Sequence, residues 1–237
     1  MKLFSSEATV EVVLGRCQLG GTRLAVEGVD MDHEPGAILP DGSWRDLTPD
    51  EARGLCGEPD VRRRVRILSF GHLTELTTDA LAPYTAGAHY LGRVRKDGGT
   101  LTTTVNRQIE KYIGLHVDNW DRMSSSERLE SRPRLMVNLG PGPRWLLVAS
   151  LDGVEVLREV DPDAYAEDRS PHTDYGRAYV ARGDQLSVIR VRIDPGEGYI
   201  APTELLVHDG SLEGFEEAST GAFWLGHFPE DVLSSLL

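Results

Sequence analysis

Short runs rich in Val, Ile, Leu, Thr and Tyr recur along the chain, divided by clusters of Gly, Pro, Asp and Asn. Helix-length periodic segments are few, so the pattern predicts a mainly β protein with flanking helices. Strands are expected over 8–14, 23–26, 101–106, 134–139, 145–151, 153–157, 177–180, 186–193, 204–208 and 222–228. The stretch 28–47, broken by Pro35, Pro40 and Asp41-Gly42, reads as an irregular loop. Thr48-Pro49-Asp50-Glu51 supplies an N-cap, a proline at the first helical position and a glutamate three residues after the threonine, which predicts a helix over 49–55. A second helix is expected after Thr74, with Leu76, Ala80 and Leu81 on one face and Pro83 as its stop, so that 60–90 forms a helical cover. Gly140-Pro141-Gly142-Pro143, Asp194-Pro195-Gly196, Gly183-Asp184 and Asp209-Gly210 read as turns. The whole suggests a closed or double-sheet roll.

At 237 residues the chain fits a single domain, with N-terminal strands and a helical cover over 1–100 and a barrel core over 101–237. Acidic residues outnumber basic ones by 38 to 25, and a net charge of −13 argues against nucleic acid as a partner. The basic run from Val61 to Arg66 leads into Ile67 and Leu68 and reads as a solvated element edge. Cys17 and Cys56, without a C-x-x-C spacing, fit a reducing cytoplasm. No secretory signal opens the sequence, and no run approaches the roughly 18 apolar residues of a membrane helix.

Candidate chemistry lies in Gly114-Leu115-His116-Val117-Asp118-Asn119-Trp120. In an extended chain the period of two puts His116 and Asp118 on one face, so an imidazole and a carboxylate reach one metal without a bend. His208, closing the apolar run Leu205-Leu206-Val207, is the best third ligand. Two histidines and a carboxylate on one side of a metal leave the opposite positions open, as in non-haem Fe(II) oxygenases. The bland reading makes His116 a satisfied core histidine, Asp118 a turn residue and His208 a strand end. His33, in Asp30-Met31-Asp32-His33-Glu34, reads more readily as part of a solvated acidic loop than as a ligand. G-x-S-x-G, H-E-x-x-H and G-x-x-x-x-G-K-[ST] motifs are absent.

His116-x-Asp118 with His208 about ninety positions later resembles the Fe(II)- and 2-oxoglutarate-dependent oxygenase superfamily, over roughly residues 113–228. The resemblance implies a double-stranded β-helix of jelly-roll or cupin type, with Fe(II) as cofactor and 2-oxoglutarate as cosubstrate. Molecular oxygen would be consumed and a small molecule hydroxylated, and the acidic balance suggests a cationic or amino-acid-like substrate. The retained Asp118 argues against halogenation. Members of that superfamily often hold the cosubstrate carboxylate with an arginine soon after the distal histidine, yet 209–237 contains neither Arg nor Lys. A buried dicarboxylate needs a cation. Arg144 is the first candidate and Arg134 the second, with Arg107 third and Asn138 as an amide donor; Trp120 and Asn119 would line the open side of the metal, and His172 a lid. Two rivals stay open: a cupin-like metal oxygenase that does not use 2-oxoglutarate, and a non-catalytic barrel that serves as a binding module.

Overall fold

The computed structural model describes residues 2–5, 8–57, 64–73 and 75–228. The chain opens with a helix where a strand was expected. Val10, Val13 and Leu14 are spaced for a helix as well as for a strand, and the Thr9 side chain decides between them by accepting from the Val12 amide at 3.3 Å. The result is α1 (Val10–Arg16), which runs directly into β1 (Cys17–Gly20). The expected loop over 28–47 is largely ordered. β2 (Thr22–Leu24) pairs with β3 (His33–Pro40), where Ala37, Ile38 and Leu39 are fully buried between the two prolines, and β4 (Arg45–Asp46) follows. Helix α2 (Pro49–Leu55) has the predicted bounds and both halves of the capping box.

The expected helical cover over 60–90 is mostly not helical. It contains β5 (Arg66–Ser69), one helical turn at α3 (Thr78–Leu81) and the start of β6 (His89–Lys96). Thr74 and Val61 to Arg63 lie outside the described residues. Of the strand expected over 101–106 only β7 (Val105–Asn106) forms, followed by β8 (Lys111–Gly114). β9 (Arg134–Pro141) and β10 (Arg144–Asp152) form as strands on either side of the predicted turn, but they pair with other strands and enter different sheets. The next two predicted strands are helical: α4 (Gly153–Val160) and α6 (Thr173–Ala181) flank α5 (Pro162–Ala166). Asp152 and Glu155 cap each other's backbone at 2.8 and 2.9 Å, a helix start that the β-rich composition of 153–157 masked. β11 (Val188–Ile193), β12 (Glu197–Ala201), β13 (Leu206–Ser211) and β14 (Ser219–Leu225) complete the chain. Asp209-Gly210 lies inside β13 and is not a turn.

Two five-stranded antiparallel sheets result, in the orders β13-β10-β11-β1-β4 and β5-β12-β9-β14-β6, with a smaller mixed sheet β2-β3-β8-β7. Among the described residues no strand pairing joins the two large sheets, so the expected barrel is not closed. They face each other through one core, with Leu146, Val148 and Val191 of the first sheet in one cluster with Met136, Tyr199 and Ala201 of the second. Strand parity puts alternate residues on the outer faces. There Leu147 and Val207 pack beneath Val156 of α4, while Leu135 and Val137 lie in a separate cluster with Leu81. Every fully buried Leu or Val contributes about 1.5–3 kcal/mol. The sheets are therefore a stiff frame for the polar groups between their ends. No helix among the described residues is long and apolar enough to cross a membrane.

Candidate metal centre

Gly114 ends β8 with a φ of 73°, and a Cβ there would come within 2.3 Å of the Ile38 carbonyl oxygen. Only glycine tolerates both the left-handed backbone and that approach. The chain then runs beside β13: the His116 amide donates to the His208 carbonyl at 3.0 Å, and the His208 amide returns a bond to His116 at 2.9 Å. Residues directly opposite in an antiparallel pair project to the same face. The two imidazoles consequently meet with ring centres 4.7 Å apart, although 92 positions separate them in sequence.

Each imidazole is oriented by its own strand. Nδ1 of His116 lies 2.9 Å from the Gly114 carbonyl oxygen, and Nδ1 of His208 lies 3.0 Å from that of Leu206. A carbonyl only accepts, so both Nδ1 atoms carry the proton and both Nε2 atoms present a lone pair. Asp118, two residues after His116, completes the group. Its Oδ1 is 3.6 Å from His116 Nε2 and its Oδ2 3.8 Å from His208 Nε2. All three ligand atoms lie within 4.8 Å of one another, and no other such group of His, Cys, Asp or Glu occurs among the described residues. His116 Nε2 is buried and without a hydrogen-bond partner. Buried polar atoms are normally paired. Two imidazole lone pairs and a carboxylate converging on one point fit a divalent metal, with second-partner carbonyls behind both histidines as metal sites require. His33, by contrast, is engaged with Thr102 Oγ1 at 3.0 Å.

The electrostatics split the two histidines. Burial disfavours the imidazolium of His116, but the neighbouring carboxylates of Asp118 and Asp209 outweigh it and raise its pKa. Burial pushes His208 down to about 3, with His116 and Arg134 adding to the effect against the pull of Asp118. Burial would also lift the carboxyl of Asp118. Arg134, at 2.5 Å from Oδ2, reverses this together with the histidines and holds it well below the usual carboxylate range.

Arg134 thus has an acidic partner, whereas Arg144 has none. Arg144 is 3% exposed, yet it forms no hydrogen bond or ion pair among the described residues, and its Nε and Nη1 are buried without a partner. Two glycines make room for it: a Cβ at Gly221 would come 2.5 Å from Nη1, and one at Gly210 2.8 Å from Nη2. Arg144, Arg134 and His208 line one cavity of about 680 Å³, with Arg107 and Trp120 also on its wall. Asn138 does not join them. Its amide donates to Gly142 and Ile193 carbonyls at 3.0 and 3.1 Å, and its oxygen accepts from Gly140 N and Ser219 Oγ at 2.9 Å each. Both of its N–H groups are used, so it holds the turn that carries the chain from β9 to β10 and has none left for a cosubstrate. Asn119 turns its oxygen to Arg128 at 2.7 Å, and His172 sits half-exposed at the start of α6 against Tyr175.

Two further groups escaped the sequence reading. Arg128, fully buried, donates to the carbonyls of Asp118, Glu204 and Pro171, to the Glu204 carboxylate at 2.7 Å, and to Asn119 and Ser170. It fixes the segment that carries Asp118 to the turn before β13. Nothing in an isolated arginine signals this. Asp209, taken for a turn residue, is 1% exposed; its Oδ1 accepts from the amides of Thr103, Thr104 and Gly210. Asp209 thus holds Thr103 and Thr104 in place where the expected strand does not form. Its other oxygen is buried, unpaired and 3.9 Å from His116 Nδ1.

Comparison with protein-family models, curated proteins and solved structures finds no match to this chain.

Proposed function

We propose that the protein is an Fe(II)- and 2-oxoglutarate-dependent oxygenase that hydroxylates a small molecule. The observation that carries the reading is Arg144: a buried guanidinium with no anionic partner among the described residues, 5.9 Å from the centre of the Phe223 ring and on the wall of the same cavity as His208. A buried cation without an anion is costly. A dicarboxylate reaching from the metal to Arg144 would remove that cost.

Strand order gives independent support. Let β6, the segment 114–118, and β9 to β14 be counted as eight strands in chain order. One large sheet then contains the order 1-8-3-6 and the other 7-4-5, with segment 2 joined to 7 by the His116–His208 bridge, so each member of the first half lies beside its mirror in the second. That order is the one expected of a chain folded in half and wound into two facing sheets, a double-stranded β-helix or jelly roll. The metal ligands fall on its second and seventh strands.

Under this reading Nε2 of His116, Nε2 of His208 and the Asp118 carboxylate hold the iron. Fe(II), when bound, couples decarboxylation of 2-oxoglutarate by O₂ to C–H hydroxylation, with one oxygen atom in succinate, the other in the alcohol, and carbon dioxide released. The chain's own residues position the participants. Arg144 receives the distal carboxylate through a charge-assisted pair of N–H bonds. Arg134 keeps Asp118 ionised and oriented, and Arg128 secures the backbone on which Asp118 sits. Val94, Val105 and Phe223 supply the apolar part of the wall that limits water.

The test is iron content after anaerobic Fe(II) loading of the wild type, H116A and H208A, followed by oxygen uptake and succinate formation with 2-oxoglutarate. Iron in the wild type alone, with succinate formed, is the expected result. Equal iron in all three proteins removes the metal centre and leaves a binding module. Iron and oxygen uptake without succinate would move the assignment to a cupin-like oxygenase.

A further inference from the structure

The chain as a whole is strongly acidic, but the wall of its cavity is not. Lys96, Arg107, Arg134 and Arg144 line it, against a single carboxylate, Asp209. One oxygen of Asp209 is already surrounded by the amides and hydroxyls of Thr103 and Thr104. A sequence with 38 acids and 25 bases has concentrated cations at one place.

Two of these cations are accounted for. Arg134 pairs with Asp118, and the oxygenase reading reserves Arg144 for the cosubstrate. Lys96 and Arg107 remain, and neither has a carboxylate partner among the described residues. Lys96 lies 4.5 Å over the Tyr112 ring with its ammonium 3.5 Å from the hydroxyl, while Arg107 is exposed. Lys96 ends β6, and Arg107 directly follows β7. The same wall also carries the apolar side chains of Val94, Val105, Trp120 and Phe223.

From this arrangement we infer that the substrate is an anion with an apolar body, its carboxylate or phosphate head held at the cavity mouth by Lys96 and Arg107. The head stays at the mouth, and the apolar portion extends over Trp120 and Phe223 toward the metal ligands. The overall acidity of the chain suggested a cationic substrate, but a low-dielectric cleft lined by one sign of charge concentrates the opposite ion, whatever the total charge. The inference rests on the oxygenase reading for the reservation of Arg144, and its test separates the two.

The full-length protein is titrated calorimetrically with octanoate, octanamide and octylamine, in the presence of Mn(II) and saturating 2-oxoglutarate. These probes share one apolar body and differ in head charge. Octanoate is expected to bind at least tenfold more tightly than octanamide, with octylamine the weakest. The double variant K96Q/R107Q should bring octanoate down to the level of octanamide and leave octanamide unchanged. A thermal melt matched to wild type checks its fold; if the double variant is destabilised, R107Q alone, at an exposed position, should still weaken octanoate severalfold. Octanamide binding as tightly as octanoate, octanoate not binding, or variants that leave octanoate affinity intact would overturn the inference. So would displacement of 2-oxoglutarate by octanoate, which would put the anion on Arg144. Absence of 2-oxoglutarate binding with the octanoate preference and its loss in K96Q/R107Q intact would sink the oxygenase reading and keep the anion site.

Discussion

Replacing Arg144 by methionine should move stability and function in opposite directions. The side chain is nearly inaccessible, touches no acid among the described residues and leaves two nitrogens without partners, so the metal-free protein bears the cost of a buried, uncompensated charge. Burial pushes its pKa down from the ordinary arginine value, against the pull of Tyr199 and Asp209. Methionine preserves much of the apolar stem. Replacing buried charged groups by apolar ones of similar volume is neutral or stabilising by about 1–4 kcal/mol, and in a chain of this size each kcal/mol raises Tm by about 2–4 °C. Cosubstrate binding should suffer, because truncating one partner of a buried, hydrogen-bonded charge pair costs about 2–5 kcal/mol, or roughly thirtyfold to several thousandfold in Kd. The assay pairs a melt of the metal-free protein with calorimetric titration of 2-oxoglutarate in the presence of Mn(II), and measures Mn(II) affinity separately. A variant that melts no lower, keeps its metal and loses 2-oxoglutarate matches the expectation. A Tm drop of ten degrees with unchanged 2-oxoglutarate affinity would show that Arg144 is a structural cation and refute the reasoning.

Arg128→Met is the contrasting case: it leaves the buried Glu204 carboxylate without its cation and the carbonyls of Asp118, Met123, Pro171 and Glu204 without this donor, so it should destabilise by about 3–5 kcal/mol, read as a lower midpoint in urea. Metal uptake should be proton-linked. The raised pKa of His116 means that protons compete with a metal for that imidazole from a higher pH than at an ordinary histidine, so Mn(II) affinity should fall as pH drops, and calorimetry in buffers of different ionisation enthalpy should detect the proton released at the lower end of the range. An affinity flat between pH 6 and 8 would contradict this. Asp118→Asn should abolish metal binding while leaving Arg134 without its ion-pair partner, giving a metal-free protein that is less stable at neutral pH but less sensitive to acid, since the depressed Asp118 carboxyl contributes stability above its ordinary pKa and loses it as pH falls.

The triad was legible because strand parity is a local rule: H-x-D needs only an extended chain, and an apolar run ending in histidine marks a second strand. Arg144 was legible as a charge opening an otherwise apolar strand. Three things hid the rest. The capping pair Asp152/Glu155 starts a helix in a sequence whose composition favours a strand, so 153–157 was misread, and 177–180 is the end of a helix that begins at Thr173 without a side-chain cap. Buried runs flanked by proline, such as Ala37-Ile38-Leu39, look like loops until their partners are known. Asn138 and Asp209 exchanged roles: the one read as a ligand is saturated by backbone, and the one read as a turn is buried beside the metal group. Those outcomes depend on residues more than fifty positions away, Ile193 for the first and Thr103 and Thr104 for the second. No window along the chain contains them.

The mutual backbone bonds between His116 and His208 have one more effect. β13 is the terminal strand of its sheet, and an uncovered terminal strand offers its free amides and carbonyls to any passing chain. The segment 114–118 lies across that border, so the same contact that gathers the ligands also shields the sheet from self-association. Disruption of this stretch by substitution would therefore show itself as a greater tendency to aggregate, and aggregation would report on the integrity of the candidate metal centre.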